Sequence, residues 1–257
     1  MKILVVVSAI AFCIPGIAQR FLEHTESSIQ YSFMAPQGGM GRNIEMGHGV
    51  VASLLKKIPQ TSLFLGIEIN SSQYGGSRTR QTYTFENGTL ADMDIIVRNL
   101  ATNIMISTRY YPLSMATVQP YFTAKGGYSF YNTTLAIYDP NDQDHCAPIE
   151  DEILQKDGAL VGSLGAGFQT DMGSIFNSLG TNRFLFDMTV NYTAGGRVSY
   201  MNTHKPNRHQ HGMPNDVTAD FIDTGTQIVH THHVGYLFSS RIELVEIRAG
   251  FSYRFGF

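Results

Sequence analysis

Apolar and polar residues alternate one by one through much of the chain, a period that an extended strand turns into two faces and a helix does not. The C-terminal segment is the clearest case. Val245, Ile247, Ala249, Phe251, Tyr253, Phe255 and Phe257 are apolar or aromatic, while Glu246, Arg248, Gly250, Ser252, Arg254 and Gly256 between them are polar or small. As a strand, this segment has one face suited to lipid and one suited to a polar interior. The same rhythm recurs at Phe184, Phe186, Met188, Val190 and Tyr192, at Leu160 to Phe168, at Phe122 to Phe130 and at Leu63 to Ile69. Leu100, Thr102, Ile104 and Ile106 follow it more weakly; Ile29, Tyr31, Phe33 and Ala35 suggest a first strand. The segment from Ile44 to Leu55 is the least clear, because His48 shares a face with Met46, Val50 and Leu54. Together these segments predict eight strands.

The connectors also alternate in character. Residues 56–61, 111–119 and 171–182 are short links, two of them containing Pro59 or Pro112, and residues 173–180 suit a helical turn. Residues 74–92, 133–158 and 195–236 are longer and more polar, with 38–43 a short exception. Short turns at one end and long loops at the other are the pattern of a membrane-spanning barrel. Asn87-Gly88 marks a type I′ turn, so the third and fourth strands are expected to continue as a ribbon above the membrane. The alternation slips near Ile95 to Val97, and a β-bulge on that strand is expected to absorb the slip.

Composition narrows the class. The 257 residues carry a net charge of −3, with 15% charged residues, no Trp, 16 Phe, 13 Tyr and 25 Gly. No basic excess speaks for nucleic acid. A mean hydropathy of −0.08 is too polar for a bundle of membrane helices. At the N-terminus, Lys2, the apolar run Ile3 to Ile14 and the small residues Gly16 and Ala18 form the pattern of a secretory signal peptide. The expected organisation is a signal peptide over residues 1–18 and a barrel domain over 19–257. Cys13 falls in the first part, so Cys146 alone remains in the second, and no intrachain disulfide framework is expected.

Four groups of residues could carry chemistry. Glu68, Lys125, Asp187, Arg248 and Arg254 take inward positions, the first three at similar heights counted from the short turns. Eight strands enclose only enough room for side chains, and buried charges need partners, so these residues are expected to form an ion-paired plug. His209, His211, His230 and His232 stand in two i, i+2 pairs of the last long loop, and imidazoles are common ligands of transition metals. No established zinc spacing accompanies them; loop packing is the plainer reading, and no cofactor is expected. The acidic stretch Asp139 to Asp144 lacks the EF-hand arrangement of Gly and Glu, and His145 and Cys146 point apart on an extended chain, so neither calcium binding nor catalysis is expected there. Aromatics are expected as two girdles: Tyr110, Tyr111, Tyr121, Phe255 and Phe257 at the short-turn end, and Tyr128, Phe130, Tyr131, Tyr192 and Tyr200 at the other.

The terminal strand Ala249-Gly250-Phe251-Ser252-Tyr253-Arg254-Phe255-Gly256-Phe257 resembles the C-terminal signal of the small bacterial outer-membrane β-barrels, with the OmpA-type membrane domain and OmpX-like proteins as nearest relatives. Gly126-Gly127-Tyr128 and Gly165-Ala166-Gly167-Phe168 resemble the glycine-aromatic strands of that family. The resemblance implies an all-β fold, an eight-stranded antiparallel up-and-down transmembrane barrel with long extracellular loops. It implies location in the outer membrane and recognition of Phe251, Tyr253, Phe255 and Phe257 by the barrel assembly machinery during insertion. No peptidoglycan-binding domain is expected after the last strand. Implied partners are outer-membrane lipid, lipopolysaccharide and another outer-membrane protein. The expected role is non-enzymatic and structural or interactive, through the surface loops. The small outward residues Ala124, Gly126, Gly162 and Ala166 hint at close packing against a protein or lipid. Two alternatives stand beside this: a lipid-modifying enzyme of the lipid A deacylase kind, although no His-x-Ser-Asn element occurs, and a narrow pore.

Overall fold

The computed structural model describes residues 23–84, 90–113, 118–138, 150–175, 183–203, 215–223 and 228–256. The order of elements is β1 (Thr25–Pro36), α1 (Gly38–Gly41), β2 (Gly47–Lys57), β3 (Leu63–Thr84), β4 (Leu90–Tyr110), β5 (Val118–Tyr138), β6 (Glu150–Asp171), α2 (Met172–Ile175), β7 (Phe184–Asn202), β8 (Asn215–Asp223) and β9 (Ile228–Phe255). Each of β1 to β6 pairs antiparallel with the next, β7 pairs with β9, and β9 returns to β1. Eight strands thus close a barrel with no free edge around its ring. The remaining strand, β8, lies outside the ring and pairs only with the upper part of β9.

Side chains obey the expected two-face rule, with the faces reversed relative to a soluble barrel. On β3, Leu65, Ile67 and Ile69 are exposed while Glu68 and Asn70 are buried. On β5, Phe122, Ala124 and Gly126 face out, and Thr123, Lys125 and Ser129 face in. Ala166 and Gly162 of β6 lie beside Phe122 and Gly126 on that same outer surface. The outward apolar stretch of β5 runs from Phe122 to Phe130, nine residues, the length a tilted strand needs to cross a bilayer.

Several strands are at least twice that length: β3 and β6 have 22 residues each and β9 has 28. Their upper halves stand above the apolar band, and there the chemistry of the faces is exchanged. On β5 the inward side becomes Tyr131, Leu135 and Ile137, and the outward side Asn132, Thr134 and Tyr138. Met93, Ile95, Val97, Leu135, Ile137, Met201 and Val234 pack as an apolar core inside this extension. The slip at Ile95 to Val97 therefore needs no bulge on β4, which stays in register with both neighbours there. The bulge lies on β3, between Gln73 and Gly75. Ile95 and Val97 face inward because the strand has left the membrane and a water-exposed sheet hides its apolar face.

Two of the long connectors read from the sequence are thus largely strand, and the third contains the β8–β9 hairpin. The Asn87-Gly88 turn lies outside the described residues, but Thr84 and Leu90 on its flanks are paired as the ribbon reading requires. Small inward residues let the narrow ring curve. A Cβ on Gly66, Gly127 or Gly250 would come within 2.2 Å of a carbonyl oxygen on the adjacent strand, so these positions admit only glycine while the backbones stay that close.

Candidate functional site: the ion-paired lumen

The polar interior is organised in two layers. Nearer the short turns, Arg109 of β4 donates to Glu26 of β1 at 2.6 Å and to Asp187 of β7 at 3.0 Å. Arg254 of β9 reaches the other oxygen of Glu26 at 2.9 Å. Neutral donors complete the shell: Tyr121 Oη and Ser252 Oγ donate to Asp187 at 2.5 and 2.9 Å, and Gln169 Nε2 bonds both Glu26 and Asp187. The Tyr111 hydroxyl donates to Gln169 Oε1 at 2.8 Å. The Arg109 guanidinium also lies 4.2 Å over the Tyr121 ring, a cation–π contact.

The second layer sits farther up. Glu68 of β3 accepts from Lys125 of β5 at 2.8 Å and from Arg248 of β9 at 2.7 Å. Arg248 also donates to Glu246 at 2.6 Å, and Ser32 and Asn70 donate to the second oxygen of Glu246 at 2.5 Å each. Across both layers four carboxylates (Glu26, Glu68, Asp187, Glu246) meet four cations (Arg109, Lys125, Arg248, Arg254). Among the described residues the lumen ion pairs balance in charge, and each ion has a hydrogen-bonded partner, the condition under which buried charges are tolerated.

Above the second layer the lumen turns apolar. The short α1 dips its Met40 into the mouth, where it is 0% exposed among Met34, Met105, Tyr74, Tyr131 and Tyr200. Several bonds hold this connector in place: Gln37 N–H to the Glu243 carbonyl at 2.8 Å, Asn43 Nδ2 to Tyr200 Oη at 2.9 Å, and Asn202 Nδ2 to the Asn43 carbonyl. Two ion-paired layers and a methionine–tyrosine stopper thus occupy the barrel interior at three successive heights among the described residues.

The five inward charges named from the sequence all face the lumen, Arg254 only partly buried, but Glu68, Lys125 and Asp187 do not share a height. Glu68 and Lys125 meet Arg248 in the upper layer, and Asp187 belongs to the lower. Strands in a closed barrel are tilted and staggered, so residue counts from the turns do not measure height. Glu26, Arg109, Glu246, Gln169, Tyr111 and Tyr121 complete the network and were missed. Parity held the signal: Glu26 alternates in phase with Ser28 and Gln30, and Arg109 with Ser107, opposite the exposed Ile29 and Ile106.

The expected girdles need correction on the same ground. Tyr111, Tyr121, Tyr131 and Tyr200 are at most 3% exposed and point inward. The hydroxyls of Tyr111, Tyr121 and Tyr200 bond polar side chains in the interior, and that of Tyr131 points at Met40 Sδ. Tyr110, Tyr128 and Tyr192 do face outward. Of the C-terminal aromatics, Phe251 and Tyr253 are outward and exposed, Phe255 packs edge-on to Tyr253, and Phe257 lies outside the described residues.

Among the candidate metal ligands, His209 and His211 lie outside the described residues. The backbone of β9 sets His230 opposite Phe221 and His232 opposite Ala219 on β8. No group of three or more His, Cys, Asp or Glu suited to a metal occurs among the described residues. Likewise, residues 1–22 and Cys146 lie outside them.

No protein-family model matches the sequence, and no curated protein matches it. Among solved structures, the chain is similar to Neisserial surface protein A, with 12% identity over 91% of this chain and 98% of the other and a TM-score of 0.43. It is also similar to Ail, the attachment invasion locus protein of Yersinia pestis, in complex with the heparin analogue sucrose octasulfate, with 10% identity, 90% and 99% coverage and a TM-score of 0.35. A third is outer membrane protein W of E. coli, with 14% identity, 91% and 99% coverage and a TM-score of 0.33. The fold rests on the chain's own geometry. An apolar outside of bilayer thickness wrapped around ion pairs, with every backbone edge of the ring closed, has one solvent in which it is stable, and that makes the chain a membrane-spanning β-barrel with eight strands in its ring.

Proposed function

We propose that this protein is a non-conducting, non-enzymatic membrane platform whose extramembrane ribbons and loops engage a protein or lipid partner. The observation that carries the reading is the doubled strand length. The membrane needs less than half of β3, β6 and β9, yet the rest continues beside β4 and β5 as a sheet with its own apolar core, Ile95 and Val97 of β4 and Leu135 and Ile137 of β5 among it. Ordering that many residues beyond the bilayer costs conformational entropy, which a channel or a simple anchor does not need to spend. A rigid scaffold that lifts loops away from the lipid is the usual support for recognition. The outer face of the ribbon is polar, with Arg78, Arg80, Thr82, Asp92 and Arg98 exposed. The filled lumen argues against the pore alternative.

Two measurements test the reading. Purified barrel in planar bilayers should give no steady open-channel current; a sustained conductance overturns the non-conducting claim. Photo-crosslinkers placed on the ribbon at Thr82 and Arg98 should trap one recurrent partner on intact cells, while crosslinkers on the lipid face at Ile67 trap lipid alone. Equal capture from both faces counts against the platform. Altered lipid A in cells that overproduce the protein would favour the enzyme instead.

A further inference from the structure

The β7–β9 pair carries a feature that the lumen and the ribbon core do not use. Up to Thr193, odd-numbered residues of β7 point inward: Leu185, Asp187, Thr189, Asn191 and Thr193 are all buried. A register shift between Ala194 and Arg197, at Gly195-Gly196, then reverses the phase. Beyond it Val198 and Tyr200 point inward, and Arg197 is exposed on the outer surface. Re-aiming a side chain is a recurrent use of a β-bulge.

The bulge brings Arg197 directly opposite Arg241 of β9, which is also exposed. Two like charges facing across an antiparallel pair repel each other, and an unbulged β7 would have avoided it. Among the described residues Arg241 has no ion-pair partner and Arg197 has only a long contact to the Ser239 carbonyl at 3.5 Å. Lys156, exposed on β6 past the point where the β6–β7 ladder ends, adds a third cation on the neighbouring strand. Two carboxylates lie nearby and both are engaged elsewhere: Glu243 leans toward α1, its Oε2 2.1 Å from where a Cβ on Gly38 would be, and Asp157 accepts from the backbone N–H groups of Ser199 and Gly158 at 2.7 Å each.

Height identifies the ligand. Directly below the arginine pair on the same outer surface come Ala194 and Glu243, then Tyr192 and Val245, then Val190 and Ile247. Tyr192 and Val190 are half exposed and mark the apolar band. The guanidinium groups therefore stand two outward pairs above Tyr192 and Val245, at the level of lipid headgroups. Guanidinium is the side chain best shaped for a phosphate, with a planar fork of donors. We propose that Arg197 and Arg241 form a binding site for the phosphorylated headgroup of a lipid in the leaflet at the long-loop end. The proposal rests on the membrane platform reading, whose partner it names on this face.

The mature barrel, purified in zwitterionic detergent, tests this by native mass spectrometry with three probes: a bis-phosphorylated lipid A, the same lipid with both phosphates removed, and inorganic phosphate. The expected result is one retained bis-phosphorylated lipid, bound at least tenfold more weakly by the R197Q/R241Q double variant and unchanged in a K56Q/K57Q control at the short-turn end. Both arginines are exposed, so the variants should keep the heat-modifiable gel migration of a closed barrel, which is checked first; the single R241Q variant gives the same comparison if the double fails. Equal binding by wild type and variant, equal binding of the dephosphorylated lipid, or displacement of the lipid by equimolar inorganic phosphate overturns the site. Channel current or lipid A hydrolysis would overturn the platform reading and leave these binding differences standing.

Discussion

Asp187 shows how much depends on single lumen residues. Its carboxylate is 0% exposed and serves Arg109, Tyr121, Gln169 and Ser252 at once. Asp187→Ala should destabilise the barrel by about 3–5 kcal/mol, because it leaves one buried positive charge of the lumen uncompensated and takes the acceptor from Tyr121 and Ser252; urea unfolding in micelles reads the loss. Ser252→Ala, which removes one neutral donor of several, should cost only about 1 kcal/mol. Outside the membrane, hydrogen bonds from Arg80 and Arg78 hold the Asp94 carboxyl down to about 2 from the ordinary 3.8. A carboxylate depressed on folding lends stability above its unfolded pKa and loses it as pH falls through the folded value. Amide exchange in the β3–β4 ribbon, corrected for intrinsic rate, should therefore quicken between pH 4 and pH 2, and D94N should flatten that dependence. At this scale the alternation already told that Glu68, Lys125, Asp187, Arg248 and Arg254 face inward. It did not tell that Tyr121 joins them, although Tyr121 shares parity with Lys125, because an aromatic near a strand end also suits a girdle.

Within a strand, the two halves answer to different solvents, and substitutions should report it. Leu164 is 69% exposed on the outer face of β6, beside Ala124 of β5 and Tyr192 of β7. Leu164→Arg near mid-band should cost about 2–4 kcal/mol of stability in lipid. Ile137, buried in the ribbon core, behaves as in a water-soluble sheet. Ile137→Ala should cost about 2–5 kcal/mol, felt as faster exchange or proteolysis of the ribbon while the barrel still inserts and migrates as folded. An equal loss of barrel folding would show that ribbon and barrel form one cooperative unit. The exchange of faces was visible in the sequence only as a slip at Ile95 to Val97. A bulge and a change of solvent leave the same trace in a one-dimensional pattern, and pairing on both sides of β4 separates them.

For the molecule as a whole, the decisive property is that the lumen is filled at three successive heights. Removing the stopper alone should not open it. A variant with residues 38–41 replaced by a flexible linker should remain non-conducting in planar bilayers, because the Glu68–Lys125–Arg248 and Glu26–Arg109–Asp187 clusters stay in place. Stepwise currents from that variant would assign the seal to Met40 and its neighbours instead.

Alternation along the chain was enough to establish strands, their number in the ring, which side of each meets lipid, and so the closed membrane barrel. These are local properties, because each residue's face follows from its neighbours' spacing. Which carboxylate meets which cation, where the tyrosines end and that residues 38–41 fold inward were settled by the stagger of eight tilted strands. That stagger brings together residues as distant in the chain as Glu68 and Arg248, and nothing in the spacing of either records the angle at which the sheet closes.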